Sequence, residues 1–282
     1  MKKLIILTGI IFCFSIKFFA QVSPYEPEVL KAFADSLYQE GFLSQAEGEY
    51  KRYLFTDQTT TPAFQSSLLS LCNIYKTQKN KDGIMWLNDK FYDFAELNVK
   101  EKISLVRGSF VFKERKAHDF SLFTASISND INSFSPDFSR LIQVSDCIVN
   151  NDVPSLKTIV PAFAEQSDTF EKLNELCGTY KTKSPGCALF LSFLFPGMGK
   201  WYTGSFSTFL ATFLSIGSFA AGTVITGIQT EWKSWQPYVF GTCGLILYIT
   251  ELYGSYKSAQ RYNDALFRAL CEETERIYEI SY

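Results

Sequence analysis

Between Phe206 and Thr226 the chain runs for 21 residues without one charged side chain, and no other feature limits the fold as much. About 20 helical residues cross a hydrocarbon core of about 30 Å, and within lipid a helix satisfies its own backbone hydrogen bonds. The segment therefore reads as a transmembrane helix over 206–226. A second apolar stretch, Pro237 to Gly254, carries Val239, Phe240, Leu245, Ile246, Leu247, Tyr248 and Ile249 and is just long enough to return. The short polar linker between them, 227–236, makes the pair a hairpin. Trp201, Trp232 and Trp235 fall at the edges of the apolar segments, where amphipathic rings meet headgroups. Glu251, near the end of the second stretch, reads as an isolated charge that reaches the headgroup region rather than as an intramembrane functional carboxylate.

The N-terminus has the form of an export signal. Lys2 and Lys3 precede the apolar run Leu4 to Phe14, and Phe19-Ala20-Gln21 closes it, which assigns residues 1–20 to a secretory signal cleaved after Ala20. Phe18 stands where such sites prefer a small residue, so an uncleaved anchor is the competing reading. Phe12 before Cys13 is too bulky for a lipoprotein signal.

Charge and composition exclude several function classes. A formal net charge of -2 and a pI near 5.6 leave no basic field, so no nucleic-acid partner is expected. The seven cysteines, at 13, 72, 147, 177, 187, 243 and 271, form no C-x-x-C pair, and His118 is the only histidine. No zinc site and no cofactor follow from these spacings. His118 beside Asp119 reads as a solvated pair, and Cys177 with Cys187 is the first disulfide to test if the domain is exported. G-x-S-x-G, H-E-x-x-H and paired intramembrane carboxylates do not occur, so the chain is not expected to be an enzyme.

From residue 26 to 180 apolar residues recur at helical spacing, broken by short polar turns and without period-2 alternation. The expected fold class is all-α. Leu30, Phe33, Ala34, Leu37, Gly41, Ala46, Tyr50 and Tyr53 resemble one tetratricopeptide repeat, in which small residues let two antiparallel helices approach. Ala34, Leu37, Ala46 and Tyr50 are its packing positions. Leu71, Ile74, Gly83 and Leu87 repeat the same internal spacings, with Gly83 lying 37 residues after Ala46 against the roughly 34 of a regular array. Leu105 and Ala117 continue the pattern weakly, and Val144, Leu156 and Val160 mark a degenerate fourth unit. The expected helical domain spans 21–183. Such stacks offer a surface to a peptide or protein, while a plain helical spacer is the competing reading.

Ahead of the first span stand Lys183-Ser184-Pro185, Ala188, Leu191-Ser192 and Pro196-Gly197-Met198-Gly199-Lys200-Trp201-Tyr202-Thr203-Gly204, and after the second stretch comes Ser258-Ala259-x-x-Tyr262-Asn263. Residues 181 to 265 resemble a bacterial family of two-helix membrane domains, with the pattern K-S-P, A, L-S, P-G-x-G-Q-x-Y-x-G and S-A-x-x-Y-N. Lys200 departs from the usual Gln. Members are often fused to tetratricopeptide-like periplasmic segments and carry no known activity, so the resemblance implies architecture and no catalytic residue. Pro196, Gly197, Gly199, Tyr202 and Gly204 form the turn motif. Its glycines permit tight turns and close helix approach, and its spacing is not that of a phosphate loop.

The expected membrane domain is then 184–254, with a short interfacial or re-entrant helix at 185–196 and spans at 206–226 and 237–254. A separate amphipathic helix over 255–282 presents Tyr262, Leu266, Ala269, Leu270 and Ile277 on one side and is expected to pack on the helical domain. The export signal and two spans place the helical domain and the C-terminus in the periplasm, anchored at the inner membrane. Lys181, Lys183, Lys200, Lys257 and Arg261 outside, against Lys233 inside, run counter to the positive-inside tendency. The function expected is a membrane-anchored envelope scaffold or adaptor whose partners are the lipid bilayer and a protein held by the repeats. The alternative is a small transporter or channel assembled as a homo-oligomer.

Overall fold

The computed structural model describes residues 26–56 and 61–282, so the export-signal reading lies outside the described residues. The described chain is all-α, with thirteen α-helices, two short 3₁₀ turns and no strand. It divides into two compact units: one runs up to Val149 and takes in Tyr278–Tyr282, and the other is Asn150–Ile277. This division falls inside the 21–183 segment assigned from sequence.

The first unit contains α1 (Pro27–Gln39), α2 (Leu43–Thr56), α3 (Pro62–Gln78), α4 (Lys81–Phe91), α5 (Leu97–Glu114), α6 (Ala117–Ile127) and α7 (Pro136–Val149). Starts and stops follow local chemistry. Thr61 caps α3 by accepting from the Phe64 N–H, with Pro62 at the first helical position, and Asn80 caps α4 by accepting from Gly83 N–H. Gly41 takes φ 84° in the turn between α1 and α2, a conformation that favours glycine.

Ala34, Ala46 and Tyr50 are fully buried and Leu37 packs against the same core. Tyr50 Oη donates to Asp35 Oδ1 at 2.7 Å. In the second hairpin a Cβ on Gly83 would lie 2.4 Å from Tyr75 Cδ1, so the ring rests directly on the glycine backbone. The third hairpin shifts this contact. Ala117 is exposed at the start of α6, and the close approach occurs at Gly108, where a Cβ would meet Phe123 Cζ at 2.9 Å. With 18 residues, α5 moves the turn away from the position that the repeat spacing gives. Val144 falls in the first unit and Leu156 with Val160 in the second.

The second unit contains α8 (Val153–Ala164), α9 (Glu171–Thr179), α10 (Pro185–Leu194), α11 (Met198–Tyr202), α12 (Phe206–Gln229) and most of α13 (Gln236–Ile280). Leu156, Val160, Phe170, Leu173, Cys177, Leu270, Cys271 and Ile277 are buried in it. Glu273 is buried as well, held by Lys172 at 2.8 Å and by Arg276. Cys177 and Cys187 are not bridged.

One expectation changes and another is met only in part. The stretch 237–254 and the amphipathic segment 255–282 form one helix of 45 residues, because Gly254 costs a helix only about 1 kcal/mol and no proline interrupts it. Of the helices described, only Phe206–Gln229 is long and apolar enough to cross a membrane. Glu251 and the tyrosines at 238, 248 and 253 dilute the early part of α13.

Candidate functional site: the turn cluster at α10 to α13

Ser184 caps α10 by accepting from the Cys187 N–H, with Pro185 at the first helical position. Pro196 follows its end, and Gly197 at φ 89° and Gly204 at φ 94° bracket the five-residue α11. The three glycines serve different ends. A Cβ on Gly199 would stand 2.2 Å from the Ala188 carbonyl, 2.7 Å from Ser255 Cβ and 2.8 Å from Ser192 Oγ, so α11 seats directly against α10 and α13. One on Gly197 would press on the Phe209 carbonyl at 3.1 Å, whereas Gly204 has open space and is fixed by its φ alone.

A chain of polar contacts runs through this junction. Gly199 N–H donates to Ser192 Oγ at 2.8 Å, Ser192 Oγ to Ser255 Oγ at 2.7 Å, and Ser255 Oγ to Glu251 Oε1 at 2.8 Å. Lys200 Nζ donates to Glu251 Oε2 and, at 3.0 Å, to Thr212 Oγ1. Each hydroxyl has one proton, so the chain has a single direction and ends on the carboxylate. Beside it, Thr203 Oγ1 donates to the Lys200 carbonyl at 2.9 Å and accepts from Ser258 Oγ at 2.7 Å.

Lys183 and Asn263 close the far edge. Lys183 N–H donates to Asn263 Oδ1 at 2.8 Å, and Asn263 Nδ2 donates back to the Lys183 carbonyl at 2.9 Å. The Lys183 ammonium sits 4.5 Å from the Tyr262 ring centre and bonds the Tyr202 carbonyl, while Tyr202 Oη accepts from the Ser184 N–H at 3.3 Å. Ala188 and Ala259 are fully buried. The motif positions scattered from 183 to 263 therefore meet in one place: Lys183, Ala188, Ser192, Gly197, Gly199, Tyr202, Ser258 and Asn263 all take part. Pro196 and Gly204 shape the backbone around them. Ala34, Leu37, Ala46 and Tyr50 belong instead to the core of the first unit.

The Lys200–Glu251 ion pair was not foreseen. Glu251 is a buried partner and not an isolated charge, with 4% of its side chain accessible against 18% for Lys200. A charge in an apolar run calls for a counter-charge, and Lys at the motif's usual Gln position was the signal that could have supplied it. Together with Thr212, Ser215 and Thr250 the pair lines a groove of about 350 Å³. Chemically the cluster is a polar lock holding four helices, with a largely buried charged pair bordering a groove on one side.

Comparison with protein-family models, with curated proteins and with solved structures found no match for this chain.

Proposed function

We propose that the chain is a membrane-anchored envelope adaptor, in which α12 and the first turns of α13 form a two-helix hairpin in the bilayer and the helical unit binds a protein partner. The observation that carries the membrane part is an inverted distribution of side chains. On α10 Ala188 and Ser192 are fully buried, while Phe190 and Phe193 are each 59% exposed. Of the large apolar side chains left exposed among the described residues, all but seven fall between Leu189 and Tyr253, and the buried groups there are small or polar, including Ser192, Thr203 and Glu251. Water disfavours such a surface and lipid favours it. No residue of the most apolar 18-residue window of α12 is buried, whereas the core helix of a soluble protein is mostly buried.

The partner-binding part rests on the first unit. Phe55 and Phe94, both about half exposed, border a small apolar pocket of about 100 Å³ floored by Phe64 and Phe91. Aromatic anchors of this kind dominate the energy of protein interfaces. The channel alternative draws less support, since Lys200 and Glu251 neutralise each other.

The test has two arms. In vesicle flotation the full chain should rise with the lipid without detergent, and a freely soluble, unaggregated chain contradicts the anchor. A photo-crosslinking residue at Phe55 in intact cells should trap one recurring protein, and the Phe94→Ser variant should lose it. A featureless crosslinking pattern contradicts the adaptor role.

A further inference from the structure

The groove at Lys200 and Glu251 shares Ile216 with a second, apolar slot between α12 and α13. On α12 the sequence Thr212, Ile216, Ala220, Val224 advances by one helical turn at each step, and on α13 Glu251, Tyr248, Gly244, Gly241 does the same in reverse. Residues spaced by three and four share a helix face. The slot holds about 390 Å³ and is almost wholly apolar. From Thr212 to Val224 the groove runs about 18 Å at 1.5 Å per residue, somewhat more than half of a hydrocarbon core of about 30 Å. A Cβ on Gly244 would press on Phe219 Cβ at 3.2 Å, whereas one on Gly241 would meet Thr223 Cγ2 at an ordinary 3.5 Å, so a larger side chain at Gly241 would enter the slot without forcing α12 away.

The polar end has a defined preference. Lys200 Nζ gives two of its three protons to groups among the described residues, and Glu251 has two acceptor bonds out of about four lone-pair positions. Ser215 Oγ donates to the Ala211 carbonyl at 2.8 Å and Thr250 Oγ1 to the Ile246 carbonyl at 3.0 Å, which leaves both hydroxyl oxygens as acceptors toward the groove. A lone anion there would meet the Glu251 carboxylate, and a lone cation the Lys200 ammonium. A zwitterion satisfies both, with its phosphate on Lys200 and its ammonium N–H groups on Glu251, Ser215 and Thr250.

We propose that this groove binds a phospholipid with a primary-ammonium zwitterionic headgroup, phosphatidylethanolamine in kind, with one acyl chain lying over Gly241 and Gly244. The inference rests on the membrane reading above, and vesicle flotation of the unaltered chain tests that reading separately.

The experiment is native mass spectrometry of the detergent-solubilised full chain, titrated with phosphatidylethanolamine, phosphatidylcholine or phosphatidylglycerol of identical acyl chains. One or two charge-assisted hydrogen bonds correspond to about tenfold stronger retention of phosphatidylethanolamine. Gly241→Leu should abolish that preference while flotation and helicity stay unchanged. The charge-free pair K200Q with E251Q should equalise the three lipids, and if that variant loses helicity Gly241→Leu decides alone. Equal retention of the three lipids by the unaltered chain overturns the proposal, as does an unchanged preference in Gly241→Leu. Equal competition by glycerophosphoethanolamine, which has the headgroup without acyl chains, overturns the slot and with it the lipid assignment.

Discussion

Lys200 and Glu251, 51 residues apart in sequence, form a buried ion pair, with Ser255 donating to the carboxylate and Thr212 accepting from the ammonium. Removing one partner of such a pair strands the other, at a cost of about 3–5 kcal/mol, whereas removing both is far milder. Lys200→Gln and Glu251→Gln should each lower the detergent unfolding midpoint strongly, and the double variant should recover most of the loss. Strict additivity of the two single effects would show that the pair is uncoupled.

The turn glycines should rank by mechanism. Gly199→Ala drives a methyl against the Ala188 carbonyl and Ser255, an overpacking cost of about 1–3 kcal/mol or more. Gly204→Ala meets only the strain of φ 94°, about 1–2 kcal/mol, and Gly204→Asn should cost less still. Thermal unfolding of the three variants checks the order, and a Gly204→Ala protein weaker than Gly199→Ala contradicts it.

Glu273 gives the second unit an acid limit. Burial opposes ionisation of its carboxyl, but hydrogen bonds from Arg276 and Lys172 outweigh it and hold the group below its ordinary 4.5. A carboxyl with a depressed pKa contributes stability above its unfolded-state value and loses it as pH falls through the folded one. Stability should therefore decline below about pH 4.5 in the unaltered chain, and Glu273→Gln should be less stable at pH 7 with a flatter acid limb. An identical acid limb in both proteins would remove Glu273 from the account.

Cysteine reactivity should follow burial. Burial pushes the Cys72 thiol up to about 12 and the Cys177 thiol up to about 11, which suppresses the reactive thiolate, while Cys187 is exposed. Alkylation at pH 8 should modify Cys187 first, and non-reducing peptide mapping should find no bridge from Cys177 to Cys187. A quantitative bridge would contradict the unpaired arrangement.

How much of this was legible in sequence depended on how local the physics is. The helical class, the α1–α2 hairpin and a long apolar helix over 206–226 follow from periodicity and charge alone, and Ala34, Ala46 and Gly83 are buried. Ala117 failed because the contact depends on the length of α5, which spacing between small residues does not encode. The break expected at residue 254 failed because a glycine without a proline ends a helix only weakly. The polar junction was visible only as fragments. Ser192, Ser255 and Asn263 are ordinary residues until the chain brings 183–204 against 251–263, and no local pattern states which hydroxyl meets which carboxylate.

The central claim is that the exposed apolar belt of the second unit faces lipid. It is tested most directly by introducing single cysteines at Leu214 and Ile246, which are 60% and 56% exposed, and treating the variants in intact membranes with a water-soluble maleimide. Lys116→Cys, in an exposed position of the first unit, is the reference. The account predicts that Leu214→Cys and Ile246→Cys resist labelling in the membrane and react fully once denatured. Labelling at the rate of Lys116→Cys would show that water, not lipid, bathes these helices.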